Sequence, residues 1–418
     1  MTANTIEYLR SVLTDKQNLH MPWTSGVVNL SEPEKTLYFT RKDETSSSLR
    51  LGSTTEVQAA DLSDACGPAG FGLGQENVLD DSYRKAGKLD EGKFSWNFNP
   101  DHGSFASEVA TGLFPWNTLN QGIRFEMYKL NVYGEGSFFK PHQDTPRGKD
   151  MFGSLVLVLP FEHAGGNLLL RHRGQEFNFD GASLLKSSPP GSVAYVAFFS
   201  DVEHEVAKVT SGHRVTITYN LYFDPDKGPP VTKSVPGAQP HHPLWVALKD
   251  CLADEKFKKD HPYIGFGLSH GYPFKSAIER PKKLHLKGND ATLIQTLSEL
   301  NVSFDFYLLY HEEDEGRYPV KCPFRILSRA IEVVNTRKDY SYSEWFENWD
   351  MDKDRYRSIT VDWVTEPKKA LMDRSAVLKY GNEASIGYYY HQLCVLAKVG
   401  PKEPHDSDKE KRPREYGF

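Results

Sequence analysis

The sequence has 418 residues, of which 39% are hydrophobic, 25% charged and 12% aromatic. This composition is typical of a folded globular protein and excludes disordered and collagen-like chains; the length allows about two or three domains. The 50 basic and 56 acidic residues give a net charge of -6, whereas proteins that bind nucleic acids or anionic membranes usually carry a basic excess. We therefore expect neither nucleic acid nor membrane among the partners.

The first 120 residues predict a mostly helical support region. Apolar residues at helical spacing, with capping and turn residues around them, predict three helices. These are residues 2–14 (capped by Thr2 or Asn4), 55–65 and 79–85. Two runs rich in β-branched and aromatic residues, 26–30 and 36–40, predict a strand pair between the first two helices.

Residues 121–226 have a different pattern, in which β-branched and aromatic residues form short runs between turn residues. Several strands at this spacing, without intervening helices, are typical of a β-sandwich or a jelly-roll barrel. The runs are Ile123–Tyr133, Ser154–Leu159, Asn167–Arg171, Ser192–Phe199, Glu205–Val209 and Arg214–Phe223.

The rest of the chain predicts a mixed α/β region over 227–400 and a tail over 401–418, with a turn-rich linker at 224–230. Helices are expected at 243–257 and 290–300, and strands at 303–310 and 386–398. The tail has five basic and five acidic residues and almost no apolar ones, so we expect it to be disordered.

The cysteines and the N-terminus predict a cytoplasmic or nuclear protein. The four cysteines lie far apart without a C-x-x-C pair, which indicates free thiols rather than a zinc site or a disulfide framework. The first residues lack the basic start and apolar stretch of a secretory signal. No apolar run approaches the ~20 residues that span a bilayer. The cysteines are Cys66, Cys251, Cys322 and Cys394.

Two histidines and an aspartate have the pattern of a metal site. His142 and Asp144 come just after a predicted strand and are two residues apart, so on an extended segment both side chains project to one face. His204 lies beside another strand of the predicted barrel. Two imidazoles and one carboxylate on one side of a metal leave the opposite positions open, as in non-haem Fe(II) sites. Zinc or copper would more often take a third histidine or a thiolate.

Arg214 lies on the next predicted strand. A guanidinium that faces into the barrel can grip a carboxylate through two parallel hydrogen bonds. Because a buried guanidinium without an acid partner is unfavourable, a bound carboxylate ligand would stabilise it by compensating its charge. Thr216, two residues further on, points the same way and can add a hydroxyl contact. The alternative is an ordinary strand arginine in a salt bridge.

These residues and their flanks resemble the Fe(II)/2-oxoglutarate-dependent dioxygenases, in particular the prolyl-4-hydroxylase-like branch. The resemblance rests on YGEGSFFKPHQD, ending at Asp144, and on F-x-S-D-x-x-H-E-V, centred on His204 and followed by Arg214. It implies an α+β protein with a double-stranded β-helix (jelly-roll) core. It further implies that His142, Asp144 and His204 bind Fe(II) and that Arg214 binds the distal carboxylate of 2-oxoglutarate.

The resemblance also implies a tyrosine that donates a hydrogen bond to the same carboxylate of 2-oxoglutarate. Tyr133, nine residues before His142, matches that position approximately, and Tyr128 is a competitor. O₂ would be the second cosubstrate, and ascorbate is left open as a further cofactor. Residues 78–89 and 380–384 are more loosely similar to fungal proteins that carry this domain.

The implied activity is the hydroxylation, or another oxidation, of an unactivated C–H bond with release of succinate and CO₂. The substrate is either a prolyl or other residue of a protein, or a small natural product, and the oligomeric state is left open. The rival interpretation is a non-catalytic sensor or scaffold that binds the metal or 2-oxoglutarate.

We expect Lys140 and Arg147 to be solvated loop charges, and we expect Asn382 and Glu383 to form part of a turn.

Overall fold

The computed structural model describes eleven parts of the chain. These are residues 5–15, 17–101, 104–114, 122–228, 242–274, 284–311, 325–326, 361–367, 370–371, 381–384 and 389–400. The predicted tail and Cys322 lie outside these residues, as does part of the predicted linker. Within them, the side chains pack into two hydrophobic cores.

The N-terminal elements are mixed α and β. Helix α1 (Ile6–Thr14) begins after Thr5, whose hydroxyl accepts a hydrogen bond from the amide of Tyr8 at 3.1 Å. Helix α2 (Glu56–Ala65) begins with a capping box, and helix α3 is Phe105–Leu113. A 3-10 helix spans Glu32–Lys35. The strands are β1 (Trp23–Val28), β2 (Thr36–Thr40), β3 (Ser46–Arg50), β4 (Gly67–Pro68), β5 (Phe71–Leu73), β6 (Glu76–Val78), β7 (Arg84–Lys85), β8 (Gly87–Asp90) and β9 (Phe94–Trp96).

The central elements form two facing antiparallel sheets, a separate two-stranded sheet and one helix. They are β10 (Gly122–Tyr133), β11 (Phe138–His142), β12 (Met151–Val158), β13 (His163–Gly165), β14 (Leu168–His172), β15 (Gln175–Phe179), α4 (Gly181–Lys186), β16 (Val193–Phe199), β17 (Glu203–Val206), β18 (Val209–Gly212) and β19 (Arg214–Asp224). Strands β13 and β18 form the two-stranded sheet. The larger facing sheet has the order β1-β16-β12-β19-β10-β8-β4, and the smaller has the order β15-β14-β17-β11-β7. Together they form the expected double-stranded β-helix.

The central strands of the larger sheet are apolar because both of their faces are covered. Every residue of β12 and of β16 is buried. Helix α3 packs against β1 and β16, and side chains on the other face line a cavity between the two sheets. Strands covered on both sides lose the alternation of apolar and polar residues, which is why these runs are continuous in the sequence.

The expectation of a mostly helical N-terminal region is wrong for the described residues, where strands are at least as prominent as helices. Strands β1, β4 and β8 complete the larger sheet and β7 the smaller one, so the barrel includes strands from before residue 121. The predicted strands at 26–30 and 36–40 exist approximately, but they do not pair with each other. Strand β1 pairs with β16, and β2 pairs with β3 and β9.

The predicted helix over 79–85 is also wrong. The Asp80 carboxylate accepts a hydrogen bond from the amide of Ser82 at 2.8 Å, and the carbonyl of Asp80 accepts one from the amide of Tyr83 at 3.0 Å. Aspartate often satisfies main-chain amides in this way and favours turns over helix interiors. The segment is therefore a turn that leads into β7.

The C-terminal elements build a second layer around one mixed sheet. They are α5 (Pro243–Ala253), α6 (Glu255–Asp260), β20 (Tyr263–Phe274), α7 (Gly288–Glu299), β21 (Ser303–His311), β22 (Arg325–Ile326), β23 (Asp362–Thr365), β24 (Ala370–Leu371) and β25 (Tyr389–Lys398). The sheet order is β22-β21-β25-β20-β23, with β24 beside β21.

Helix α1 packs in this second core although it begins the chain. Leu9 is fully buried there, and the Arg10 guanidinium donates to the carbonyls of Val364 at 3.0 Å and of Trp363 at 2.8 Å. Residues before 121 therefore support the C-terminal sheet as well as the barrel. None of the described helices is long and apolar enough to cross a membrane.

Candidate functional site

His142 and His204 face each other across neighbouring strands of the smaller sheet. They are Cα partners between β11 and β17, and their ring centroids are 4.2 Å apart. Each ring is held through Nδ1 by a main-chain carbonyl: His142 by Lys140 at 2.9 Å and His204 by Val202 at 3.0 Å. A carbonyl at Nδ1 keeps the proton there, which leaves the Nε2 lone pair free for a metal. Burial, with His204 as the next cause, lowers the pKa of His142 well below its ordinary value.

Asp144 completes the group just beyond the end of β11. The ligand atoms of His142, Asp144 and His204 all lie within 4.8 Å of one another, and Oδ1 of Asp144 is 3.7 Å from Nε2 of His204. All three side chains are buried. This donor set, two imidazoles and one carboxylate, fits Fe(II) with open coordination positions.

Arg214 begins β19 and lines the same cavity as the triad. It is 3% exposed, and no carboxylate of the described residues pairs with it. Burial lowers the pKa of Arg214 to about 10, so the guanidinium still carries its charge at neutral pH. A buried cation without an acid partner is costly, and a ligand carboxylate would supply that partner.

Tyr133 lies opposite Arg214 in the ladder between β10 and β19. The guanidinium carbon of Arg214 is 5.4 Å from the centre of the Tyr133 ring. Thr216 lies two residues along β19, is buried and lines the same cavity. Tyr128 also lines it, but its hydroxyl accepts a hydrogen bond from Arg147 at 2.5 Å. Of the two tyrosines, Tyr133 is thus the one beside Arg214; contact of Tyr133 and Thr216 with 2-oxoglutarate stays a prediction.

Residues 381–384, which we call the clasp, reach this site from the C-terminal region. Gly381 and Gly72 exchange two main-chain hydrogen bonds of 2.9 and 3.0 Å. The approach is so close that a Cβ atom at Gly72 would collide with the carbonyl oxygen of Glu383, and one at Gly381 with the hydroxyl of Thr145. Glycine at both positions therefore allows the clasp to lie against the barrel.

Asn382 connects the clasp to the triad. Its side-chain oxygen accepts a hydrogen bond from the amide of Thr145 at 3.0 Å, and its side-chain nitrogen donates to Oδ1 of Asp144 at 2.7 Å. Ser154 donates its hydroxyl to Oδ2 of the same carboxylate. Both oxygens of Asp144 are thus oriented by neighbouring side chains.

Glu383 lies between two cations of the barrel. One carboxylate oxygen pairs with Nζ of Lys129 and the other with Nη2 of Arg147. The expectations of a simple turn at Asn382 and Glu383 and of a solvated charge at Arg147 are therefore wrong. The contacts join residues 236 to 254 positions apart, and no local pattern could have revealed them.

Arg84 is a further residue of the cavity that the sequence did not reveal. It is 6% exposed, donates to the carbonyl of Gly70 at 2.7 Å and to the side chain of Asn131 at 2.9 Å. Its guanidinium carbon lies 4.3 Å from the centre of the Phe139 ring.

A second group, the half-buried His172 with the buried Asp201 and His270, also brings its ligand atoms within 4.8 Å of one another. Here the cation is supplied by the protein. Lys287 places Nζ 3.0 Å from Oδ1 of Asp201, and the amide of Gly271 donates to Oδ2 at 2.8 Å. This group links the barrel to the C-terminal sheet, and its carboxylate is already neutralised.

Comparison with known proteins agrees with this geometry. Residues 128–222 match the family described as the 2OG-Fe(II) oxygenase superfamily, a segment that contains the triad and Arg214. No curated protein matches the sequence.

Several solved structures are similar to part of the chain. A prolyl-4-hydroxylase from Pseudomonas putida is 16% identical, with a TM-score of 0.28, over 51% of this chain and 98% of its own. A Trichoplax adhaerens prolyl hydroxylase, in complex with a hypoxia inducible factor peptide fragment, is 18% identical, with a TM-score of 0.28, over 53% of this chain and 91% of its own. A viral collagen prolyl hydroxylase from Paramecium Bursaria Chlorella virus-1 is 12% identical, with a TM-score of 0.23, over 41% and 92%. The likeness to the oxygenase superfamily rests on residues 128–222 and not on these structures.

Proposed function

We propose that the protein is a 2-oxoglutarate-dependent dioxygenase that hydroxylates an unactivated C–H bond, and the match of residues 128–222 to the 2OG-Fe(II) oxygenase superfamily supports this. One oxygen atom of O₂ would enter the C–H bond, and the other would enter succinate as 2-oxoglutarate loses CO₂. The observation that carries the proposal is the convergence of His142, Asp144 and His204 in one cavity with the buried Arg214, which has no acid partner among the described residues.

The chain's own residues bind and orient the reactants. Nε2 of His142, Nε2 of His204 and the Asp144 carboxylate would hold Fe(II), which supplies the binding of O₂ and the oxidising power. Arg214 would anchor the distal carboxylate of 2-oxoglutarate through charge-assisted hydrogen bonds. The apolar side chains that line the cavity, among them Val156, Leu168 and Phe198, restrict water around the reacting groups.

The substrate proposal keeps two classes, a prolyl or other residue of a protein and a small natural product. We propose that the protein acts in the cytoplasm or nucleus, without a nucleic acid or a membrane as partner. The free state of the buried thiols supports a reducing compartment: Cys66, Cys251 and Cys394 form no disulfide.

The experiment is an anaerobic titration of metal-free protein with Fe(II) and then 2-oxoglutarate, followed by visible absorption. We expect a metal-to-ligand charge-transfer band that is absent in His142→Ala and that needs far more 2-oxoglutarate in Arg214→Ala. His213→Ala, beside Arg214 and half-buried, is the matched control and should behave as the unmodified protein. Absence of a band in folded protein would contradict the proposal. A band without 2-oxoglutarate turnover, when O₂ and candidate substrates are added, would instead indicate a sensor or scaffold.

A further inference from the structure

We infer that the substrate carries an anionic group that binds Arg84 and Lys129 in the cavity of the triad, and that in the free protein the Glu383 carboxylate pairs with Lys129 in place of that group. This inference rests on the proposed function, because it names the substrate class of the same site. The shared chemistry is that of a carboxylate or a phosphate.

Arg84 gives the first reason. It is buried and lines the cavity, and among the described residues its Nη atoms bind only neutral acceptors, Gly70 and Asn131. Its Nε atom is buried without a hydrogen-bond partner among the described residues. Buried polar atoms are nearly always satisfied, so an unsatisfied N–H on a buried cation indicates an acceptor that binds there.

Lys129 gives the second reason. It is 7% exposed and lines the same cavity. Within the described part of the chain its closest carboxylate is that of Glu383, which it shares with Arg147; Asp90 forms a longer ion pair with it at 3.8 Å. Asp90 also pairs with Lys88, at 2.8 Å, so three cations share two carboxylates and one positive charge is left over at this end of the cavity.

The charge balance of the cavity gives the third reason. Fe(II) and Arg214 together balance Asp144 and the two carboxylates of 2-oxoglutarate. Arg84 and Lys129 are not needed for that balance, and Asp144 is the single carboxylate among the described residues that line the cavity. In a medium of low polarity, uncompensated charges attract an ion of opposite sign strongly. The surplus therefore favours a substrate that is itself an anion.

Glu383 has the properties of a replaceable group. Its side chain is 26% exposed, whereas that of Lys129 is 9% exposed. Its segment is held to the barrel independently of the carboxylate, because the main-chain oxygen of Glu383 accepts a hydrogen bond from the Thr145 hydroxyl at 2.6 Å. The carboxylate can therefore leave Lys129 while the clasp stays in place.

The experiment uses the anaerobic complex of the full chain with Fe(II) and saturating 2-oxoglutarate, so that the triad and Arg214 are already engaged. The probes are phenylacetate, phenyl phosphate and the neutral phenylacetamide, with acetyl-Gly-Asp-Gly-amide and acetyl-Gly-Asn-Gly-amide as a peptide pair. Binding is measured by calorimetry and by the shift of the visible band. The anions should bind about tenfold or more tightly than the matching neutral amides. Comparison among the probes distinguishes a carboxylate from a phosphate and a peptide from a small molecule.

Three variants sharpen the test. Arg84→Met and Lys129→Met should each weaken anion binding about tenfold or more. Glu383→Gln should strengthen it, because Lys129 loses its internal competitor; a clasp with a purely structural role predicts no such gain. Arg124→Met is the matched control, since Arg124 lies on the same strand but is exposed and pairs with Glu126.

Equal binding of acids and amides, weaker binding in Glu383→Gln, or displacement of the anions by excess 2-oxoglutarate would each overturn the inference. Displacement by 2-oxoglutarate would show that Arg84 and Lys129 bind the cosubstrate instead of the substrate. The visible band separates these results from a failure of the proposed function, because it reports Fe(II) and 2-oxoglutarate before any probe is added. It also shows that each variant is folded.

Discussion

Asn382 donates a hydrogen bond to Oδ1 of Asp144 at 2.7 Å, although the two residues are 238 positions apart. Asp144 is a ligand of the proposed iron site, and Asn382 belongs to the clasp from the C-terminal region. The match to the oxygenase superfamily ends at residue 222. A ligand of the proposed metal site is therefore oriented by a residue outside the segment that matches the family.

The first prediction is that Asn382→Ala weakens metal binding. Groups that orient the ligands of a metal typically change its affinity about 10- to 100-fold, and we expect a loss in that range. Co(II) titration of the metal-free protein, followed by visible absorption, measures it. Asn77→Ala is the matched control, because Asn77 accepts a hydrogen bond from the amide of Ala384 at 2.8 Å without touching Asp144. Unchanged Co(II) affinity in Asn382→Ala would show that Ser154 alone orients the carboxylate.

The second prediction concerns the buried charge of Arg214. Arg214→Met should reduce the affinity for 2-oxoglutarate about 100-fold, since two charge-assisted hydrogen bonds are lost. In the absence of 2-oxoglutarate the variant should unfold at the same denaturant concentration as the unmodified protein or at a higher one, because a buried cation without an acid partner is removed. Chemical denaturation with and without 2-oxoglutarate separates the two effects. A large loss of stability without ligand would mean that Arg214 has a structural partner.

The barrel strands and the His142–Asp144 pair could be predicted from the sequence because both depend on local patterns. His142 and Asp144 are two residues apart at the end of one strand, and strands such as β12 and β16 are continuous apolar runs. The clasp could not be predicted, since Asn382 meets Asp144 only after the C-terminal region has folded against the barrel. The same holds for β1 and β8, whose partners in the larger sheet are set by tertiary packing and not by their own residues.

The third prediction is that Lys287→Met destabilises the protein strongly. Lys287 is 1% exposed and pairs with Asp201, which is 4% exposed. Removal of one member of a buried pair leaves an uncompensated charge and typically costs about 3–5 kcal/mol of unfolding free energy. Urea denaturation measures this cost. In Asp201→Asn/Lys287→Met, where both charges are gone, the loss should be smaller than in Lys287→Met alone.

The matched control for this pair is Lys258→Met, because Lys258 pairs with the exposed Glu255 and such pairs contribute about 0–1 kcal/mol. The pH dependence has a definite sign. Burial by itself raises the pKa of Asp201, but Lys287 and His270 outweigh it and hold the pKa well below the ordinary value. The contribution of Asp201 is therefore present above the pKa of the unfolded chain, about 3.9, and is lost as the pH falls below it. Equal acid sensitivity in Asp201→Asn would contradict this.

The last prediction is that anion binding at Lys129 weakens as the pH rises. Burial, with Lys88 as the next cause, lowers the pKa of Lys129 to about 7, and Asp90 acts in the opposite direction. The other charged groups around it are Arg84, Arg147 and Glu383.

Below about pH 7 Lys129 is already in its ammonium form. Phenylacetate is also ionised there, since carboxylic acids of this kind stay ionised above about pH 5, so its affinity should be constant. Above about pH 7, binding has to take up a proton, and the affinity should fall by up to about tenfold per pH unit. Calorimetry of phenylacetate binding from about pH 6 to pH 9 measures the slope. Lys129→Met removes the titrating group and should give a flat profile in this range. An unchanged slope in that variant would assign the pH dependence to another group and remove Lys129 from the anion site.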